Sequence, residues 1–278
     1  MATALPDITG HVLVRQRHWG RWTAVAVILL LLTLLARAFA AGQIEWQVVG
    51  QFLTAPVIMA GLVNTVVMSI AAMALGIVLG VVAAVMRMSH NPVLQGAALG
   101  YAWLFRGTPV ILQLLLWFNL ALIFPTIGIP GLWSARTVEV MTPAFAALLG
   151  LGLNQGAYTS EVFRAGMLSV DQGQYEAAKA IGMTRLRALR RIVFPQAMRV
   201  VIPPLGNEFI GMVKLTSLAS VIQYTEILHS AQNIYYANSR VIELLIVAAI
   251  WYLAVVSVLT PLQMLLERRF ARGTVGGR

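Results

Sequence analysis

Between Glu45 and Arg87 the chain contains no Asp, Glu, Lys or Arg. A bilayer core takes roughly 20 apolar residues per helix, so an uncharged run of this length has one natural solvent, lipid. A helix from Pro56 to Met86 is expected there. Composition carries the argument to the whole chain: 59% of the 278 residues are hydrophobic and 11% are charged, against about 45–50% and 25% in a soluble domain. Too little charge is present to coat a globule of this size. A soluble enzyme, a disordered chain and a disulfide scaffold are excluded, the last also because there is no cysteine.

Five further stretches read as spans: Trp22 to about Ala41, Pro109 to Phe124, Pro143 to about Ser160, Val200 to Ile222 and Val241 to Leu266. The first also has the outline of a signal peptide, with basic residues before a Leu-rich run, but Arg37-Ala38-Phe39-Ala40-Ala41 is a weak cleavage site. Basic residues set the orientation. With the N-terminus inside, Arg15, Arg17, Arg21, Arg87, Arg106, Arg164, Lys179, Arg185, Arg187, Arg190, Arg191, Arg199, Arg268, Arg269, Arg272 and Arg278 fall on the cytoplasmic side. Only Arg136 and Arg240 fall outside, as the positive-inside rule demands. The +10 formal charge is therefore topological and needs no nucleic acid. On the second span Ala72, Gly76, Gly80 and Ala84 form a small-residue stripe, suited either to a dimer contact or to packing inside the chain.

The one long hydrophilic segment, Glu161 to Met198, reads as two short cytoplasmic helices. Asp171 with Gln174 forms a capping-box pattern, Gly182 stands where a left-handed C-cap is wanted, and Thr184 caps a second helix ending before Pro195. Leu186, Leu189 and Val193 share a stripe. Either a docking surface for a cytoplasmic partner or an amphipathic element lying on headgroups fits this pattern.

Glu176-Ala177-Ala178, three residues, Gly182, nine residues, Ile192, one residue and then Phe194-Pro195 resembles the EAA motif of ABC importer permeases, with Phe194 where Leu is usual. Phe105-Arg106-Gly107-Thr108-Pro109 with Gln113, Gly156-Ala157-Tyr158 with Glu161 and Arg164, and Gly173-Gln174-Tyr175 resemble the polar amino-acid (histidine/glutamine/arginine-type) branch of that family. So does Pro203-Pro204-Leu205-Gly206-Asn207-Glu208-Phe209 followed by Lys214 and Thr216-Ser217-Leu218. The resemblance implies an all-α integral membrane fold of about six transmembrane helices: a five-helix permease core at 56–272, with the EAA loop at 171–195, plus an extra N-terminal span and basic tail at 1–55. It implies a bacterial inner-membrane protein with both termini cytoplasmic. The partners it implies are two ABC ATPase subunits, a second permease subunit (a copy or a paralogue), an extracytoplasmic solute-binding protein and membrane lipid. Glu176, Ala177, Ala178, Gly182, Ile192 and Pro195 would then couple to the ATPase. Small alanines permit close approach there, and Gly182 permits the sharp turn.

No Walker A loop is present, so ATP hydrolysis is expected on another polypeptide. Ionisable residues inside spans are functional candidates by default. Glu208 and Lys214 lie about 13 Å and 22 Å along a helix from Arg199 and are about 240° apart around its axis. Each therefore needs a partner from another helix or a zwitterionic solute. Thr216 and Ser217 offer hydroxyls nearby, and Glu161 reads as an Arg164 partner or part of an inner gate. His11, His18, His90 and His229 are scattered, so no metal site, cofactor or catalytic cluster is expected. The reading is the permease subunit of an ATP-driven, binding-protein-dependent importer of polar amino acids. An importer of an opine or other modified amino acid is the alternative. An ion-coupled secondary transporter would show inverted repeats, and a membrane enzyme would need a catalytic cluster.

Overall fold

The computed structural model describes residues 19–129 and 131–271. Arg15, Arg17, Arg272, Arg278, His11 and His18 lie outside the described residues. The chain divides into two compact units, Met1–Glu45 and Trp46–Arg278. The first holds α1 (Trp19–Ala41), a helix with no buried residue and apolar side chains on every face. Such a helix suits lipid all round. Its Thr33 hydroxyl is satisfied on Leu29 O at 2.7 Å.

In the second unit come α2 (Trp46–Leu53), α3 (Pro56–Arg87), α4 (Pro92–Gly107), α5 (Val110–Phe118), α6 (Thr137–Val140) and α7 (Pro143–Leu168). They are followed by α8 (Gln172–Ala180), α9 (Arg185–Ala188), α10 (Phe194–Leu215), α11 (Ile227–Asn238) and α12 (Val241–Ala271). Proline at the first turn starts α3, α4 and α7, where a missing N–H costs nothing. Asn91 and Thr142 cap the last two of these. Trp251 Nε1 donates to Leu53 O at 2.8 Å and ties α2 to α12.

Among the described residues three helices are long and apolar enough to cross a membrane: α1, α3 and α12. The consecutive pair α4 and α5, bent by 101°, qualifies as a fourth span if taken together. α7 and α10 have 26 and 22 residues, long enough at about 1.5 Å per residue, but both are interrupted by polar side chains. Two expectations need correction. The third span, expected as one segment from Pro109 to Phe124, is the bent pair instead. Thr108 is extended before Pro109, as a residue preceding proline tends to be, and the helix restarts after it. The fourth span runs on past Ser160 to Leu168, so Glu161 lies within a helix, not a loop. A small antiparallel ribbon, β1 (Thr126–Ile129) paired with β2 (Trp133–Arg136), was not anticipated. Its turn holds Gly131 at φ +81.

α3 packs on α7 more extensively than any other pair of helices. The small-residue stripe makes this contact: Ala72, Gly76, Gly80 and Ala84 are all buried. A Cβ at Gly76 would stand 2.6 Å from Gln155 Cγ, and one at Gly80 would stand 2.7 Å from Thr159 Cβ and 3.0 Å from Ser160 N. Of the two readings of the stripe, packing inside the chain is the one realised. Gly80→Ala is therefore expected to force the α3 and α7 backbones apart. Overpacking of this kind costs about 1–3 kcal/mol and should lower the melting temperature of the detergent-purified protein, whereas Gly96→Ala, which faces open space, should leave it unchanged.

Candidate functional site

Three polar assemblies are built on this frame. The first is the hairpin between α7 and α10. Asp171 Oδ1 accepts from Gly173 N (2.7 Å) at the start of α8. Gln174 does not complete a capping box; its Oε1 accepts from Gln196 Nε2 of α10 at 3.2 Å. At the other end Gly182 N donates to Lys179 O (3.0 Å) and Met183 N to Ala178 O (3.0 Å), with Gly182 at φ +73. This pair of bonds is a Schellman cap. Thr184 Oγ1 accepts from Arg187 N at 3.4 Å.

The expected stop before Pro195 does not occur. Leu189–Val193 forms a π turn, with Phe194 N bonded to Leu189 O, and α10 follows without a break. Proline lacks an N–H and its ring presses on the carbonyl four residues back. The wider π turn absorbs the mismatch. Of the coupling candidates, Ala178 is buried, Glu176, Ala177, Gly182 and Pro195 are exposed, and Ile192 is half-buried. The expected apolar stripe divides. Val193 enters a small core with Val170 and Ala197, while Leu189 is exposed and Leu186 is 74% exposed, as is Ile181 at 75%.

The second assembly surrounds Glu208 on α10. Gln155 Nε2 donates to Glu208 Oε2 (2.6 Å), and Thr159 Oγ1 donates to the same oxygen at 3.2 Å. Both donors are neutral, and Glu208 Oε1 makes no hydrogen bond among the described residues. Glu208 and Lys214 form no ion pair, and Lys214 is exposed. The Thr216 and Ser217 hydroxyls donate to Val213 O and Lys214 O, both at 2.7 Å. Thr216 is buried and Ser217 half-buried. The sequence reading missed Gln155 and Thr159. Their signal was available: two polar residues four apart, on one helix face of a span that is apolar up to Leu153. Five residues before Glu208, the Pro203 carbonyl accepts from Gln263 Nε2 of α12 (2.6 Å), which also donates to Glu267 Oε1 (3.0 Å), reinforcing a helix that two consecutive prolines weaken.

The third assembly gathers at the end of α3 and the later turns of α7. Glu161 Oε2 accepts from Arg164 Nε at 3.0 Å, and its Oε1 is shared by Arg87 and Arg106, the latter at 3.3 Å. The Arg164 pairing was expected; Arg87 and Arg106 join it through tertiary packing. Arg106 also lies over the Tyr158 ring, 5.3 Å from its centroid. The bend after α4 is held from α7 and from α5. Asn154 Nδ2 donates to Phe105 O (2.6 Å), and Gln113 Nε2 bonds Phe105 O (2.9 Å), Thr108 O (3.1 Å) and Thr108 Oγ1 (2.8 Å). A break within apolar surroundings is tolerated when its freed carbonyls are satisfied in this way. Elsewhere, the fully buried Glu226 caps α11, accepting from Leu228 N (2.8 Å), His229 N (2.6 Å) and the Tyr252 hydroxyl. It too escaped the sequence reading. Among the described residues no cluster could hold a metal ion.

Residues 76–272 match the family described as "Binding-protein-dependent transport system inner membrane component". The arginine transport system permease protein ArgU of Corynebacterium glutamicum is 40% identical over 93% of this chain and 82% of its own length. The nopaline transport system permease protein NocM of Agrobacterium fabrum is 38% identical over 80% and 92%, and the L-cystine transport system permease protein TcyB of Bacillus subtilis 36% over 82% and 92%. A solved amino acid ABC transporter chain superimposes with a TM-score of 0.67 at 34% identity, covering 77% of this chain and 94% of that one. A chain of the MetNI methionine ABC transporter shares the fold, with a TM-score of 0.61 at 15% identity.

The Schellman turn yields a local prediction. Gly182→Val places a β-branched residue at positive φ, which costs about 1–3 kcal/mol. It should speed proteolytic cleavage between Ala180 and Arg185 while the helical core melts as in wild type. Gly182→Asn, which tolerates that conformation, should resist cleavage.

Proposed function

We propose a function on the premise that this chain belongs to the binding-protein-dependent transport system inner membrane components: it is a permease subunit through which a polar amino acid, or an opine, is imported. The observation that carries this reading is the hairpin. An element with exposed Ile181, Leu186 and Leu189, joined without a break to a membrane helix that carries a carboxylate, suits a surface that receives force from a partner. Two ATPase subunits, a second permease subunit and an extracytoplasmic solute-binding protein complete the proposed complex. Glu176, Ala177 and Gly182 form the ATPase contact, and the buried Ala178 packs behind that surface. Ile192 and Pro195 lie where the hairpin passes into α10. The N-terminal span is an addition to a core that begins near Pro56.

A free amino acid carries a carboxylate and an ammonium, and placing either in a dry pathway without a counter-charge costs several kcal/mol. Glu208, with one oxygen held by Gln155 and Thr159 and the other without a hydrogen bond among the described residues, is the proposed partner for the solute cation. Lys214, with Thr216 and Ser217 beside it, is the proposed partner for the carboxylate. The nopaline permease relative keeps an opine as an alternative solute.

Glu208→Gln and Lys214→Met should each lower ATP-driven uptake in reconstituted vesicles by about tenfold or more, the effect of losing a charge-assisted contact of about 1.5–3 kcal/mol. Basal ATPase activity and the assembled complex should persist on size-exclusion chromatography. Full uptake with unchanged selectivity would remove both residues from the pathway. Gly182→Val should uncouple uptake from ATP hydrolysis at unchanged abundance. Orientation has its own test, because the chain has no native cysteine. A cysteine at Gly173 should be shielded from an impermeant thiol reagent in intact cells, and cysteines at Gln43 and Asn233 should label.

A further inference from the structure

Three guanidinium groups converge on one carboxylate at the Glu161 assembly. Arg87, Arg106 and Arg164 pair with no other acidic residue among the described ones, so the cluster keeps an excess of two positive charges. Arg87 and Arg164 grip Glu161 closely; Arg106 touches it only at 3.3 Å and its side chain is 42% exposed. Beside Arg106 opens a cavity of about 420 Å³, bounded by Arg87, Glu161 and Tyr158 on one side and by Leu99 and Trp103 on the other. Leu99, Trp103 and Arg106 follow one another at i, i+4 and i+7, on one stripe of α4. Trp103 is 78% exposed and Leu99 51%, so this wall is apolar and uncovered by the chain.

Depth narrows the choice of ligand. Arg87 is the last residue of α3. Glu161 lies seven residues before the end of α7, about 10 Å along its axis. The cavity thus sits near one end of both helices, where hydrocarbon gives way to headgroups. A positive cavity at that height with an apolar, Trp-bearing wall matches an amphiphile with an anionic head.

We propose that this cavity binds an anionic phospholipid, its phosphate held by Arg106 and Arg87 and its acyl chain lying along Leu99 and Trp103. The leaflet is the cytoplasmic one, and this part of the proposal rests on the orientation given under Proposed function. Guanidinium is suited to phosphate because its planar fork makes two parallel bonds. Tyr158, stacked on Arg106, sets the plane of that fork. Glu161, paired with all three arginines, offsets their mutual repulsion when the site is empty.

The test uses the complete transporter purified in mild detergent and incubated with phosphatidylglycerol or phosphatidylcholine. Native mass spectrometry then reads the lipid bound to the permease chain. Wild type should retain phosphatidylglycerol in preference to phosphatidylcholine. Arg106→Gln should retain about fivefold less phosphatidylglycerol, the equivalent of about 1 kcal/mol for one basic residue at an anionic surface. Arg106→Lys should retain an intermediate amount, and Arg268→Gln, away from the cavity, should match wild type. Equal retention by wild type and Arg106→Gln would overturn the proposal, as would binding of phosphatidylcholine at the same level. A second arm measures uptake in vesicles of phosphatidylcholine with and without phosphatidylglycerol. If Arg106→Gln lowers uptake equally in both while lipid retention is unchanged, the cavity serves the solute carboxylate instead and the lipid site is refuted. Lipid retention does not depend on transport, so loss of uptake in every vesicle would count against the proposed function and leave the lipid result standing.

Discussion

The polar contacts of α7 all depend on its close approach to α3. Without side chains at Gly76 and Gly80, the two backbones meet over Gln155, Thr159 and Ser160. In lipid no hydrophobic gain drives such contact, because acyl chains are as apolar as leucine; close packing and interhelical hydrogen bonds supply the attraction. Once α7 is fixed in that way, its other polar residues have definite addresses. Gln155 and Thr159 reach Glu208 of α10, Asn154 reaches the bend after α4, and Glu161 reaches the ends of α3 and α4. One helix, too polar to pass as a span by composition, organises the rest.

The same logic explains what the sequence made legible. Long apolar runs with few charges announce membrane-crossing helices, so α1, α3 and α12 could be placed from residue types alone. Asp171 and Gly182 each act through their own backbone neighbourhood, so their caps were readable too. Interactions across the fold were less accessible. Gln155 carries no charge to announce it, yet it supplies the 2.6 Å contact to Glu208. Glu226 precedes no obvious helix in the apolar pattern, yet it is wholly buried as a cap. The bend after α4 depends on Asn154 and Gln113, which lie in different helices, so Pro109 read as the start of a straight span. The β1–β2 ribbon was missed because neither strand has the length or alternation that marks a half-buried strand.

Pro195 shows how a local misfit becomes a mechanical element. Read alone it stops a helix; in the structure the π turn at Leu189–Val193 accommodates it and the helix continues into α10. The run from Arg185 to Leu215 therefore joins the exposed hairpin to Glu208 with no flexible loop between them. Pro203 and Pro204 weaken the same run further on, and Gln263 of α12 bonds the carbonyl of Pro203. Displacement of the hairpin therefore has a continuous helical path into the membrane. Its compliance is concentrated at two places, the π turn and the proline pair. Glu208 lies one turn beyond the second of these and is held only by neutral donors on α7. Rotation of α10 about the proline pair would change the distance from Glu208 to Gln155 and Thr159 without breaking an ion pair. A carboxylate held by two neutral hydrogen bonds is easier to release to a cationic group than one locked to an arginine. Glu161, bonded to three arginines, has the opposite character: it fixes the later turns of α7 to the ends of α3 and α4.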